Sequence, residues 1–390
     1  MLLQMNPALH IRGAIVDEGG HAAPRDLFLR DRVLPAAPAH ALRVDLEGCT
    51  LIPGQINAHD HLELNHYPRS STREQYASAH DWGADMNARL NDEPFLSLRA
   101  HPLADRLFIG GLKNLFCGAT TVAHHNPPHR DLWRRGYPVR VLRRYGWAHS
   151  LAFASEAEIR TSYQRTPPEQ AWFIHLAEGT DTRAAAEYGR LKALGCVGAN
   201  TVLIHGVGLT DDDIADAAPK VRGLVWCPST NAYLLGTTAR IAAWAAAGGR
   251  WALGSDSRLT ADGDLRDEQR AAARAGGLDH AGYDPATLIG MPEAGHLQTG
   301  ALADCTALRG EQVALVILGG VPQFGDADLM ACFPHIRSIP ARLNGYEIRL
   351  HPALARRIDR CTLRYTGLEI DALPSRWQTF SFRLRNRLSS

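Results

Sequence analysis

The sequence predicts an α/β chain organised around a closed (β/α)8 barrel, and three observations carry that expectation. Eight short apolar runs read as strands, over residues 54–61, 119–125, 138–142, 147–153, 171–175, 201–205, 223–227 and 251–254. Helix-like stretches over 181–194, 211–218 and 238–247 separate several of them. Strands alternating with helices argue for a parallel sheet, and eight such units suggest closure into a barrel. Finally, ionisable side chains recur at the C-terminal tips of these runs, where a barrel of this kind carries its active site.

The first run, LIPGQINAHDHLELN, ends in His59 and His61. Side chains at i and i+2 share one face of a strand, so both imidazoles can converge on one point while Asp60 points away. A histidine pair of this kind also fits two polar neighbours on one strand face. Later runs repeat the pattern. AWFIHLAEG closes on His175, with Glu178 beyond the strand on a loop able to fold back over it. TVLIHGVGL closes on His205, and WALGSDSRLT ends in Gly254, Ser255 and Asp256. Asp256 could instead cap a helix, although Ser255 or Ser257 could take that role. The second run, GATTVAHHNPP, ends in His124 and His125.

PGQINAHDH, GATTVAHHN, HLAEG, LIHGVGL, WCPSTN and LGSDS, in this order between about residues 11 and 310, resemble the motif series of the amidohydrolase superfamily. They are most similar to its mononuclear deaminases and hydrolases, which include guanine and cytosine deaminases and the triazine hydrolases. The resemblance implies that His59, His61, His175 and Asp256 are metal ligands. It makes Glu178 the proton-shuttling glutamate and His205 the histidine that bonds the reacting water or the substrate. Three neutral imidazoles and one carboxylate suit one divalent ion, zinc above all, with iron accepted by the same donors. Binuclear relatives bridge two metals with a lysine on a barrel strand. Here the chain's lysines, Lys113, Lys192 and Lys220, fall in helical or connecting segments, so a single metal is expected.

The implied chemistry is attack of ion-activated water on an amidine-like or cyclic C–N carbon, with hydrolytic deamination of a heterocyclic small molecule as the leading form. In that scheme Asp256 takes the water's proton and Glu178 carries protons to a ring nitrogen and the leaving group. The same residues would serve ring opening of a cyclic amide or imidazolone, or dehalogenation. A catalytically silent scaffold of this superfamily is the non-enzyme alternative. For substrate contacts the sequence offers His125, where relatives carry an aspartate and a histidine, and Tyr67 and Arg69 in the long connection over 62–117. The aromatic residues of that connection could equally fill a small core of their own. Cys227, in WCPSTN, reads as structural rather than nucleophilic.

Both chain ends complete the expected domain plan. Residues 1–52 read as the first part of a composite β-sandwich, 53–300 as the barrel, and 301–338 as the sandwich's return, with a Gly319–Gly320 turn between two strands. The tail over 339–390 matches no motif, and loop or helix packing is its simplest expectation.

Composition agrees with a soluble enzyme. A formal charge of +1 over 390 residues offers no electrostatic footprint for nucleic acid or a membrane surface. Seven cysteines without a Cys-x-x-Cys pair argue for free thiols in the cytoplasm. The start lacks a signal-peptide pattern, and no run approaches a membrane span. Arginine and alanine in preference to lysine suggest a bacterial source with a GC-rich genome. A small-molecule substrate and a homodimer are the expected partners.

Overall fold

The computed structural model describes residues 6–276 and 281–371. These divide into two compact units, one of residues 56–133, 139–276 and 281–295, the other of residues 6–55, 134–138 and 296–371.

The first unit carries the eight expected strands: β1 (Gln55–Asp60), β2 (Ala119–His124), β3 (Arg140–Val141), β4 (Gly146–Ser150), β5 (Trp172–Leu176), β6 (Thr201–His205), β7 (Gly223–Trp226) and β8 (Trp251–Leu253). Their hydrogen-bonded order is β3-β2-β1 in one sheet and β4-β5-β6-β7-β8, parallel throughout, in a second, so the closure into one ring that was expected is not seen in the hydrogen bonding of the described residues. β3 is the reason on one side. It is two residues long, directly follows Pro138–Val139, and pairs with β2 alone among the described residues. On the other side the amide of Asp256 donates to the carbonyl of His59 at 3.0 Å, so the chain leaving β8 runs beside the end of β1.

β5, β6 and β7 are buried along their whole length, as parallel strands covered on both faces should be. Their apolar side chains, among them Trp172, Ile174, Leu203, Leu224 and Trp226, share one core with helix residues such as Tyr188 and Leu191. The helices start where the sequence supplies caps. Asp181 accepts from the amide of Ala184 ahead of Thr182–Ala193, and capping boxes at Ser155, Thr210 and Asp264 open three others. Asp264, not Asp256, caps the helix that follows β8, which frees Asp256 for another task.

The second unit holds a four-stranded and a nine-stranded sheet. Leu9, Ile11, Leu29 and Val44 of the smaller sheet and Leu51, Ala307, Leu315 and Ile317 of the larger one form a common core. The hairpin of Gln312–Leu318 and Val321–Gly325 turns through Gly319 and Gly320, both with positive φ. The tail differs from its expectation. Ile339–Leu343, Tyr346–Leu350 and Leu368–Ile370 are strands that extend the larger sheet, with the helix Pro352–Asp359 between the last two. Alternation in IPARL and YEIRL is the signal that marks them. The remainder of the tail lies outside the described residues. Among the described residues no helix is long and apolar enough to cross a membrane.

Candidate functional site

Parallel pairing brings the strand tips together before any side chain is considered. His175 lies opposite Ile204 and Leu176 opposite His205, so His175 and His205 are staggered by one residue on neighbouring strands. Their rings stack 5.3 Å apart. His59 and His61 leave the adjoining edge of the site from β1, beside Asp256.

Four donors converge. His175 Nε2 lies 3.3 Å from His59 Nε2 and 3.2 Å from His61 Nε2. Asp256 Oδ1 is 3.8 Å from His59 Nε2 and 3.7 Å from His61 Nε2. Ligands at about 2.0–2.1 Å from a tetrahedral zinc ion stand roughly 3.3 Å apart, and among the described residues two groups are compact enough to hold an ion: His59 with His61 and Asp256, and His59 with His125 and His175. The protonation states fit as well. His175 Nδ1 donates to the carbonyl of His149 at 2.8 Å, which leaves its Nε2 with a bare lone pair. Burial, followed by neighbouring imidazoles, holds His59 and His175 well below the usual histidine range, and neutral imidazole is the ligand form.

Glu178 and His205 sit beside this group, with Glu178 Oε2 3.4 Å from His205 Nε2. Burial first, then the carboxylates of Asp256 and Glu187, push Glu178 well above the usual carboxyl range. Burial lowers His205 to about 4. Asn231 accepts from Thr238 through Oδ1, so its amide nitrogen faces His205 Nδ1 at 3.0 Å and the ring hydrogen resides on Nε2. His205 therefore presents a neutral N–H donor towards Glu178.

The backbone at these tips is unusual. Of the five non-glycine residues with positive φ among the described residues, three belong here: Ala177 (φ 53°), His205 (φ 74°) and Asp256 (φ 47°). Such residues persist only where their surroundings fix them. Glu187 Oε2 accepts the amide of Ala177 at 2.6 Å and so fixes the residue before Glu178. The other Glu187 oxygen meets His80 Nε2 at 2.7 Å, on a segment whose Ala79 amide also donates to the Glu178 carbonyl.

His61, His175, Glu178, His205 and Asp256 open onto a cavity of about 600 Å³. Tyr67, Trp82, Met86 and Phe95 line it from the connection that follows His61. Tyr67, Met86, Phe95 and Leu259 also form a small apolar cluster of their own, so these side chains fill a local core and line the cavity at once. The other two suggested substrate contacts lie elsewhere. Arg69 turns away to Asp262 at 2.7 Å and Tyr233, and is not a cavity residue. His125 stacks on His175 at 4.3 Å beneath the cavity, with Nε2 3.0 Å from the carbonyl of Ala148. Cys227 is buried, and its thiol is pushed well above the ordinary range by burial, as a structural thiol should be.

Three contributors escaped the sequence reading. His149, in the cavity wall, closes β4 as the other histidines close their strands, and that rule could have found it. His80 and Glu187 lie on helices far apart in sequence, with no motif to link them.

No family model matches the chain. A 5-methylthioadenosine/S-adenosylhomocysteine deaminase of Haloquadratum walsbyi is 25% identical over 313 residues, covering 69% of this chain and 70% of the relative. Among solved structures, an adenosine deaminase from Xanthomonas campestris with bound zinc superposes with a TM-score of 0.64 at 16% identity, over 85% of this chain and 98% of its own. A variant atrazine chlorohydrolase of Arthrobacter aurescens complexed with zinc and atraton gives a TM-score of 0.66 at 15% identity, over 84% of this chain and 100% of its own. At these identities the two structures speak for the fold.

Proposed function

We propose that the chain acts as a metal-dependent deaminase of the amidohydrolase superfamily and removes the amino group of a heterocycle, an aminopurine nucleoside foremost. The observation that carries this reading is the convergence of His59, His61, His175 and Asp256 at ligand spacing, with the Glu178–His205 pair at the head of the cavity. The purine nucleoside is favoured because two relatives of different kinds, one matched in sequence and one in fold, are named for adenosine-type substrates.

His59, His61, His175 and Asp256 would hold one divalent ion, zinc by preference, which supplies Lewis acidity and a water activated near neutral pH. The protein's own groups do the rest. Burial above all raises the affinity of Glu178 for its proton, which suits it to hand a proton to a ring nitrogen as the amino-bearing carbon is attacked. The Nε2 hydrogen of His205 faces the same space and can stabilise the oxygen that develops there. Asp256 is held at both oxygens, Oδ1 accepting the amide of Ser257 at 2.8 Å and Oδ2 the hydroxyl of Thr260 at 3.1 Å, so its carboxylate stands fixed among the histidines, where it can receive a proton. The apolar cavity wall excludes water and offers flat surfaces to a ring.

The test is ammonia release by zinc-loaded protein from aminopurine nucleosides, with aminopyrimidines and chlorinated or amino-triazines alongside. Release from an adenosine-type compound that falls about 10²–10⁴-fold in Glu178→Gln, the range for loss of a general acid, supports the proposal. Chloride release without ammonia would transfer it to dehalogenation. A zinc-loaded protein silent on every compound would refute it.

A further inference from the structure

A layer of buried polar groups lies directly behind the metal-ligand group, and its only cation is Lys113. This residue sits on the helix Leu103–Phe116, in the apolar stretch LFIGGLKNLF, and is wholly inaccessible to solvent. A protonated lysine amine has three N–H donors. Lys113 Nζ faces three oxygens: Asp60 Oδ2 at 3.0 Å, Ser255 Oγ at 2.8 Å and the backbone carbonyl of Asp256 at 2.8 Å. Its donor capacity is therefore filled.

The helix is shaped for this approach. Gly110, one turn before Lys113, packs directly on the backbone of Leu62, and a Cβ there would collide with the Leu62 carbonyl oxygen. Asn114, next to Lys113, donates to Asp60 Oδ2 at 2.7 Å, and Asn65 donates to Asp60 Oδ1 at 2.8 Å. Asn57 bridges Asn114 and Ser255 at 2.8 Å and 2.7 Å. Asp60 separates the ligands His59 and His61, and Asp256 is the ligand from the opposite edge. Lys113 thus touches both halves of the donor set from behind. Its bond to the Asp256 carbonyl is charge-assisted, and it falls on a residue held at φ 47°, a conformation L side chains adopt only when fixed. The same carbonyl also accepts from Ser255 Oγ at a longer 3.2 Å, and the amide of Asp256 donates to the carbonyl of His59 at 3.0 Å.

We propose that Lys113 is a positioning residue that holds Asp256 in its left-handed conformation through the backbone carbonyl, setting the carboxylate against His59 and His61. The inference rests on the metal-centre reading above. It also gives the engaged lysine a task other than bridging two ions, since a lysine carrying three hydrogen bonds to oxygen has no free electron pair to modify.

The test separates positioning from charge balance. Lys113→Met removes the bond to Asp256 and leaves the Asp60 carboxylate buried without its cation. The pair Asp60→Asn with Lys113→Met restores neutrality but not the bond. Zinc affinity is measured by chelator competition, and coordination by the visible spectrum of the cobalt(II) form. The proposal expects both variants to lose about 10–100-fold in affinity, as loss of supporting groups behind metal ligands does, and to alter the cobalt spectrum. Urea stability should recover in the double variant while affinity does not. Recovery of affinity together with stability would reduce Lys113 to a structural counter-ion and overturn the proposal. A readout on the unaltered chain guards against misfolding: with three lysines in the sequence, 15N-lysine labelling resolves the Lys113 amine, which should shift when zinc is added. An amine signal indifferent to zinc also overturns it. Unsubstituted protein that binds no zinc would instead refute the metal-centre reading itself.

Discussion

The strand tips and the connection over 62–117 face the same cavity but reach it by different physics. At the tips, each functional side chain closes a buried strand, and the parallel ladder fixes its neighbour to within one residue. In the connection, Tyr67, Trp82, Met86 and Phe95 face the cavity and also pack on one another. A tip residue has one demand on it, while a connection residue answers to two. The difference teaches that strand register places the tip side chains, while the packing of a small apolar cluster places the cavity wall. Substitutions in the two regions should therefore fail differently: at the tips through metal and turnover, in the connection through Michaelis constants.

The largest expected effect is at a tip. His175→Ala removes one of four donors and exposes the carbonyl of His149, its partner, to a cavity. Four donors sharing roughly 10–16 kcal/mol of zinc binding lose about 10²–10³-fold in affinity with one of them. Chelator competition reads this directly. Retained stoichiometric zinc at nanomolar free metal would show that the donor set has been misassigned.

Acid should also strike the tips first. His59, His125 and His175 lie well below the usual range, and His149 and His205 fall to about 4, all through burial before any other cause. A depressed value means the folded chain refuses protons that the unfolded chain accepts below 6.5. The stability these residues contribute is thus present above pH 6.5 and lost as pH falls towards their folded values. Each histidine can contribute up to about 1.4 kcal/mol per pH unit in that window. Glu178 and Glu268, the latter raised to about 8, act with the opposite sign because burial favours their protonated native forms, but the lowered histidines outnumber them, His66 and His351 adding to the five at the tips. Metal-free protein should show a marked fall in urea midpoint between pH 7 and pH 5. A flat profile would mean that the histidines are not buried as a neutral cluster.

How much could be read from the chain follows the same division. His59, His61, His175, Glu178, His205 and Asp256 were legible because strand-end position and residue type both mark them, and the structure gathers all six at one site. The eight strands were legible for a related reason, since buried parallel strands are continuous apolar runs bounded by turns. Lys113 was misleading. A lysine in a helix reads as solvated, and only its setting among Leu112, Leu115 and Phe116 hinted that this face was buried. Arg69 was overvalued by proximity to His61 in sequence, because a connection that reverses direction within a few residues carries no register.

That last case gives the smallest and sharpest prediction. Arg69 makes an ion pair with Asp262, stacks over Tyr233 at 3.8 Å and donates from Nε to the carbonyl of Thr260 at 2.9 Å. Arg69 and Asp262 side chains are 35% and 37% exposed, so the pair is worth about 0–1 kcal/mol. The cavity feels Arg69 only through Thr260, whose hydroxyl bonds Asp256. Arg69→Met should therefore change KM less than about fivefold, the equivalent of that surface pair's upper value. Tyr67→Ala, which removes an aromatic face from the cavity, should raise KM by about tenfold, corresponding to the roughly 0.5–1.5 kcal/mol of a ring contact. Equal effects from the two would mean that the connection acts as one rigid body. A larger effect from Arg69 would place it on the substrate and reverse the contrast between the regions.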